Sequence, residues 1–200
     1  MAKTVYTKGV TPIGEAYFAR LISPEVYQGK STNKFTLMLK LAPKDKEKLL
    51  KLIDAEWQKF TESEEGRRHK YKYDYINGIK EYSGEEYFKF KMTHIIQTAR
   101  GPWERTVPVF DSACQALKLE DELGNGSKVK VAFELSPFYI SDKNYGVSLR
   151  LVGVQVLSIE STGDAHSMGF GTEEGFVQSD ADVLDDSMDM MAEDDDGGDF

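Results

Sequence analysis

The chain has 200 residues, of which 40% are hydrophobic, 34 are acidic and 25 are basic, and its formal net charge is −9. A chain of this length and composition can form one large domain or two small ones with a sizeable core. No apolar run reaches the roughly 18 residues of a membrane-spanning helix. One cysteine and three scattered histidines exclude an internal disulfide and the common zinc folds. The first eight residues lack the apolar run of a signal peptide, so we expect a cytoplasmic chain.

The first third of the sequence combines two strand patterns with one helix pattern. Residues 14–21 form the first strand-like segment, and residues 34–41 alternate apolar and polar side chains as a half-buried strand does. Apolar residues then recur every three or four positions from Leu49 to Phe60. This spacing predicts an amphipathic helix that begins near Pro43, a residue suited to a first helical turn.

Aromatic and basic residues are concentrated between Arg67 and Lys91. Seven of these 25 residues are aromatic, where the chain average of 12% predicts three, and seven are Lys or Arg. The Asn77-Gly78 pair predicts a hairpin turn, and residues 87–92 alternate as a strand. Single-stranded nucleic acid binds to such surfaces, because bases stack on aromatic rings while cations neutralise phosphates. Core packing or hairpin pairing is the alternative role of these tyrosines.

The strand patterns continue towards the end of the body. Residues 104–110 contain Pro108 and predict an irregular or edge strand, and residues 111–123 predict one or two helical turns. Residues 128–135 and 145–159 alternate as strands. Five or more strands with one inserted helix predict a small β-barrel or a sandwich.

The candidate nucleic-acid contacts are basic or aromatic residues on the exposed faces and loops of these elements. They are Lys34, Tyr71, Lys72, Tyr73, Tyr75, Tyr87, Lys89, Lys91, Arg100, Trp103, Arg105, Lys128, Lys130, Tyr139, Tyr145 and Arg150. The sequence contains no phosphate-binding loop, zinc-protease motif or nucleophile elbow, so we expect no enzyme, metal site or cofactor. A nuclease built on loosely spaced carboxylates is an alternative.

Charge divides the chain into two parts. Residues 161–200 hold thirteen acidic residues and no Lys or Arg, which leaves 21 acidic and 25 basic residues, a net charge of +4, in residues 1–160. We therefore predict a nucleic-acid-binding domain over 1–160 and a flexible linker with a disordered acidic tail over 161–200. Such a tail is long enough to fold back onto the basic body and compete with nucleic acid.

The chain ends on an aromatic residue beside its free carboxylate. A tail that only keeps the body solvated has no need of a terminal aromatic residue. An apolar pocket with a basic rim would bind such an end. We therefore predict a partner-docking peptide, whose residues are Asp194, Asp195, Asp196, Asp199 and Phe200.

A basic, aromatic-rich β body with a linker and an acidic tail that ends in Phe resembles the single-stranded DNA-binding proteins of tailed bacteriophages. The ending DGGDF is similar to theirs, as are the segments 145–157 and 169–176. Bacterial relatives usually end in Pro-Phe, whereas Asp199 precedes Phe200 here, which favours the phage type. The resemblance implies a mainly β, OB-fold-like five-stranded barrel with an inserted helix, followed by a disordered acidic tail.

The resemblance also implies a function. The protein would bind single-stranded DNA without strong sequence specificity in phage replication and recombination, in the host-cell cytoplasm. Its tail would recruit a phage DNA polymerase, a helicase–primase or recombination proteins. The oligomeric state stays open, with a homodimer as one option, and so does the preference for DNA over RNA. The alternatives are an acidic-tailed interaction protein that mimics DNA and a metal-dependent nuclease.

Overall fold

The computed structural model describes residues 6–160, and these residues form twelve β-strands and one α-helix. The elements in chain order are β1 (Thr7–Val10), β2 (Gly14–Arg20), β3 (Val26–Tyr27), β4 (Lys30–Ser31), β5 (Lys34–Lys40), α1 (Pro43–Glu62), β6 (Ile79–Tyr82), β7 (Glu85–Thr93), β8 (Ile95–Thr98), β9 (Gly101–Glu104), β10 (Val109–Phe110), β11 (Lys128–Ser141) and β12 (Asn144–Ser158). A short 3-10 turn, Gly66–Arg68, follows the helix.

Five of the strands close into a barrel. Their order around the barrel is β2, β5, β7, β12 and β11, and β11 pairs again with β2. All these pairings are antiparallel except the one between β7 and β12. This is the five-stranded Greek-key barrel of the OB-fold, so the predicted fold is confirmed. Strands β1, β6 and β10 extend the sheet by pairing with β11, β7 and β12.

Alternation along each barrel strand sends one face to the interior and the other to the outer surface. The interior side chains are almost wholly excluded from solvent, and the largest of them are Phe35, Leu37, Leu39, Phe90, Val129, Val131, Leu135, Val147, Leu149 and Leu151. Burying one such side chain stabilises the fold by about 1.5–3 kcal/mol. The outer face is therefore free to carry polar and charged residues.

The predicted helix is confirmed, and it contacts β11 and β12 through its apolar face. Pro43 occupies its first turn, and Leu49 and Ile53 are buried. Glu56 is only 9% exposed, and its carboxylate accepts a hydrogen bond of 2.7 Å from the Thr7 hydroxyl. The helix thus contacts β1, through this hydrogen bond, as well as the barrel strands β11 and β12.

The hairpin turn predicted at Asn77-Gly78 is wrong. The turn lies at Ser83-Gly84, between β6 and β7, where both residues have positive φ angles of 51° and 77°. Asn77 instead accepts the Ile79 N–H with its side chain at 3.1 Å. Gly78 is required there because a Cβ atom would lie 2.7 Å from the side chain of Leu149.

The helical turns predicted within residues 111–123 are wrong as well. This fully described stretch is irregular, because acidic side chains accept its backbone hydrogen bonds or those of its neighbours. The Asp111 carboxylate accepts the N–H groups of Ala113 and Gln115 at 2.9 and 2.8 Å. Glu122 accepts three backbone N–H groups from residues 21–23 at 2.6–3.1 Å and thereby fixes the end of β2. Of residues 104–110, only Val109–Phe110 and the last residue of β9 are in strands.

Candidate nucleic-acid interface

An open groove of about 700 Å³ runs over the outer surface of β5, β7, β12 and β11. Its walls include the β11–β12 hairpin, which extends beyond the barrel, and the segment 76–80 that leads into β6. In OB-folds the outer face of the second and third barrel strands binds oligonucleotides, together with the loops that follow the first and fourth strands. Here these elements are β5 and β7, the connection 21–33 and the β11–β12 turn.

The groove is strongly basic. It is lined by six cationic side chains and one carboxylate, Glu134; the cations are Lys34, Lys80, Lys89, Lys91, Arg105 and Arg150. Lys89 forms an ion pair of 2.7 Å with Glu25. Within residues 6–160 the other five have no carboxylate within 4.0 Å. These cations are therefore available to bind an anion.

Strand register aligns several of these charges in one row across the barrel. Directly paired residues of neighbouring strands present their side chains on the same face. The row, from β2 to β1, is Arg20, Thr36, Lys91, Arg150, Glu134 and Lys8. It runs across the strands, so an extended polyanion lying along it would meet Arg20, Lys91 and Arg150 in turn. At the β1 end, Lys8 pairs with Glu134 at 3.3 Å.

Lys91 stands at the centre of this cluster. Burial lowers the pKa of Lys91 below the usual lysine value, and the ammonium groups of Lys89, Lys34 and Lys80 lower it further. A phosphate beside Lys91 would relieve this repulsion. The electrostatics of the free groove thus favour a negatively charged ligand.

Apolar side chains complete the groove on the β11–β12 hairpin. Phe138 and Ile140 line it, and Ile140 is 72% exposed. Both continue the outward face of β11 that begins with Lys128 and Lys130, while Tyr139 points to the opposite side. Phe138 is therefore the aromatic residue of this hairpin that can offer its ring to a base in the groove.

Two further hairpins leave the barrel where β5 begins and β7 ends. The Asn33 side chain joins them, since it accepts the Ile95 N–H at 2.9 Å and donates to the Ile95 carbonyl at 3.0 Å. The β3–β4 hairpin carries Tyr27, which is 68% exposed, and the β8–β9 hairpin carries Trp103, which is 60% exposed. Arg100, also exposed, lies in the turn between β8 and β9. Both hairpins thus present aromatic rings beside the basic groove.

The predicted site residues fall into separate places. Lys34, Lys89, Lys91, Arg105 and Arg150 line the groove, and Arg100 and Trp103 lie on the adjoining β8–β9 hairpin. Arg150 also lies over the Tyr6 ring, 4.9 Å from its centroid. Lys128 and Lys130, near the start of β11, are outside the groove, and Lys128 pairs with Glu15 at 2.6 Å.

The tyrosine-rich segment 71–75 packs on the side of the β11–β12 hairpin that faces away from the groove. The ring of Trp57 from α1 lies nearly parallel to those of Tyr75 and Tyr145, at centroid distances of 5.1 and 5.7 Å. Tyr71 meets Trp57 edge-on at 5.3 Å. Tyr139 stacks on His69 at 3.8 Å. This aromatic cluster attaches the segment to the helix and the hairpin.

The stacking roles predicted for Tyr145 and Tyr87 do not fit this structure. Tyr145 is 2% exposed, and its hydroxyl bonds both the N–H, at 2.6 Å, and the carbonyl of Tyr73. Tyr87 is 6% exposed and packs against Tyr17 at 5.1 Å. Neither ring has a free face for a base.

The other residues of the segment differ in exposure. Tyr75 is half-buried; burial, and next its hydrogen bond to Asp54, raise the pKa of its hydroxyl. Tyr71 is half-buried and donates to the Gly66 carbonyl at 2.7 Å. Tyr73 is 60% exposed, and Lys72 pairs with Asp142 at 3.1 Å. Tyr73 and Lys72 thus stay predicted contacts that lie outside the groove.

The sequence points to Phe138 as one of three aromatic residues of the 136–146 loop, but it does not single out Arg20, Lys80 or Ile140, which line the groove or stand in the row. The alternation of β11, extended beyond Leu135, identifies Ile140. Lys80 required the correct turn, because it reaches the groove only when β6 pairs with β7.

Residues 6–160 contain no group of three or more His, Cys, Asp or Glu side chains arranged to hold a metal ion. No helix in the same range is long and apolar enough to cross a membrane. The predicted docking residues Asp194, Asp195, Asp196, Asp199 and Phe200 lie outside the described residues.

The chain is similar in structure to bacteriophage single-stranded DNA-binding proteins. The protein encoded by bacteriophage T7 has a TM-score of 0.59 and 21% identity over 88% of this chain and 100% of its own. The protein from bacteriophage Enc34, in its complex with single-stranded DNA, has a TM-score of 0.57 and 12% identity over 80% and 95% of the two chains. No family model and no curated protein matches the sequence. The resemblance stated from the sequence is thus confirmed at the level of the fold.

Proposed function

We propose that the protein binds single-stranded DNA in the basic groove, without strong sequence specificity. The observation that carries this proposal is that six cations and a single carboxylate line a groove on the surface that binds oligonucleotides in OB-folds. The relatives in structure support it, since they are single-stranded DNA-binding proteins. Catalysis is not required for this function, and we expect none.

Phosphate neutralisation supplies most of the affinity. Each cation that contacts a phosphate releases a condensed counterion, and this release depends on salt and not on base sequence. Lys91 and Arg150 are adjacent in register at the centre of the groove and face the same side. They would therefore bind the sugar–phosphate backbone there.

Base stacking supplies the remaining contacts. A base stacked on an aromatic ring contributes roughly 1–3 kcal/mol, and every base offers a π face. Phe138 within the groove, and Trp103 and Tyr27 on the two adjoining hairpins, present rings for this purpose. Single strands have unpaired bases that can reach such rings, whereas a duplex keeps its bases stacked.

The acidic tail is proposed to act in two ways. It competes with DNA for the groove, since residues 161–200 carry thirteen negative charges and residues 1–160 a net charge of +4. When DNA displaces it, Phe200 and the neighbouring acids dock on a phage DNA polymerase, a helicase–primase or recombination proteins in the host cytoplasm. The protein would thereby serve replication and recombination.

An anisotropy titration with labelled oligo-dT tests both proposals. We expect the full chain to bind, and residues 1–180 to bind more tightly, because the truncation removes nine acidic residues. A full-length control with these nine acids changed to Asn or Gln should match the truncation.

Other outcomes favour the alternatives. Equal affinity of the full and truncated chains would contradict tail competition. No binding by either form would contradict DNA binding and favour the interaction protein that mimics DNA. Magnesium-dependent cleavage of the oligonucleotide would favour the nuclease.

A further inference from the structure

Strand β2 contains a bulge at Phe18. Tyr17 pairs with Met38 and Arg20 with Thr36, so β2 has one residue more than β5 between these pairs. Phe18 has a φ of 48°, in the left-handed region that is costly for a bulky side chain. The Asn125 side chain accepts the Phe18 N–H at 2.8 Å and holds the backbone in this conformation.

The bulge turns the Phe18 ring outwards. The ring is 41% exposed, whereas the side chains of Ala16 and Ala19 on the same strand are buried. It contacts the ring of Tyr82 edge-on, with centroids 4.9 Å apart, and Tyr82 is 54% exposed. Bulges commonly redirect a side chain beside a functional site. Two touching aromatic rings are therefore held at the surface by a strained backbone.

This pair lies at the edge of the basic groove. On β2, Phe18 is two residues before Arg20, the residue at which the row of charges begins. On β6, Tyr82 is two residues after Lys80, which lines the groove, so both side chains share one face of the strand. A single strand that follows the row across β5 would pass over β2 at these rings.

We propose that Phe18 and Tyr82 form a base-stacking platform for single-stranded DNA where it leaves the groove across β2. The inference rests on the proposed function. Glu81 and Glu85 flank Tyr82 in the hairpin, and Glu85 pairs with Lys40 at 3.0 Å. These negative charges favour an uncharged base over a phosphate at the rings themselves. Arg20 and Lys80 bind the phosphates on either side. The platform lengthens the binding site beyond the groove.

The test replaces Phe18 with Gly. Glycine adopts a φ of 48° without strain, so F18G removes the ring while the backbone keeps its conformation. We expect the thermal midpoint of unfolding to stay at the wild-type value or rise. Affinity is measured by anisotropy with oligo-dT of increasing length, from about 4 to about 16 nucleotides, the range of sites on OB-folds.

We expect F18G to lower the affinity for the longest oligonucleotide by about 5- to 150-fold, the equivalent of one lost base stack. The shortest oligonucleotide that binds to the groove should keep its wild-type affinity. Tyr82→Ala should have the same effect, and it carries the test if F18G fails to fold. The matched control is Phe110→Ala on β10, where the ring is 39% exposed and does not line the groove.

Wild-type affinity of F18G and Y82A for the longest oligonucleotide would overturn the platform. An equal loss in Phe110→Ala would also overturn it, because the loss would then not depend on position. If the wild-type protein bound no oligonucleotide of any length, the proposed function itself would fail.

Discussion

Replacing Lys91 with Glu is expected to lower the affinity for oligo-dT by roughly 100-fold or more. The change removes one phosphate contact and places a negative charge among Lys89, Lys34 and Lys80, where the strand has to bind. At an effective dielectric constant of about 20, two unit charges about 4 Å apart interact by about 4 kcal/mol. The expected loss of roughly 100-fold, equivalent to about 3 kcal/mol, is smaller than this single interaction. Anisotropy titration at fixed salt measures the loss.

The fold should tolerate this substitution. Lys91 is under repulsion from its neighbours, and a carboxylate at this position would pair with them. The thermal midpoint of K91E is therefore expected to equal or exceed that of the wild type. The matched control is Lys118→Glu, which makes the same charge change at an exposed site outside the groove. Equal affinity losses in the two variants would show that only net charge matters, and that the groove is not the site.

Replacing Tyr145 with Ala is expected to lower the free energy of unfolding by about 3–5 kcal/mol, the usual cost of removing a buried aromatic side chain. The ring is 2% exposed and packs against those of Trp57, Tyr71 and Tyr139. Its loss leaves a cavity where the helix, the hairpin and the segment 71–75 meet. Urea denaturation followed by circular dichroism measures the change.

Tyr145→Phe is the matched variant, because it keeps the ring and removes only the hydroxyl. The hydroxyl bonds the N–H and carbonyl of Tyr73, so we expect a loss of about 1 kcal/mol. A Y145A protein with wild-type stability and weakened DNA binding would contradict the structural role and restore the stacking role predicted from the sequence.

The alternating strands and the helix could be predicted because each buries one regular face. Residues 34–40 and 128–135 follow a strict period of two, and Leu49 and Ile53 follow the helical period; the structure buries these faces in one core. The order of the strands around the barrel has no such local signal. It depends on which strands meet across more than 100 residues, as β2 and β11 do.

The sequence predicts most of the groove cations, because they lie on strands with a clear alternation of apolar and polar residues, such as Lys89 and Lys91 on β7. The tyrosines were harder to assign, since an aromatic ring suits both a core and a base. Their roles depend on Trp57 of α1, which packs on Tyr75 and also on Tyr145, a residue distant from it in sequence. Phe18 could not be found at all, because the bulge that exposes its ring exists only against β5.

The salt dependence of oligo-dT binding tests the central claim most directly when the tail cannot compete, in the full-length variant whose nine acidic residues within 181–200 are changed to Asn or Gln. If four to six groove cations contact phosphates, the plot of log Kobs against log salt concentration has a slope of about −3 to −4, taking roughly −0.7 per contact for single strands. A slope in this range, with duplex DNA binding more weakly, is the predicted result. A slope flatter than about −1, which corresponds to roughly one contact, or no binding at low salt, would contradict the assignment of the groove as the DNA-binding site.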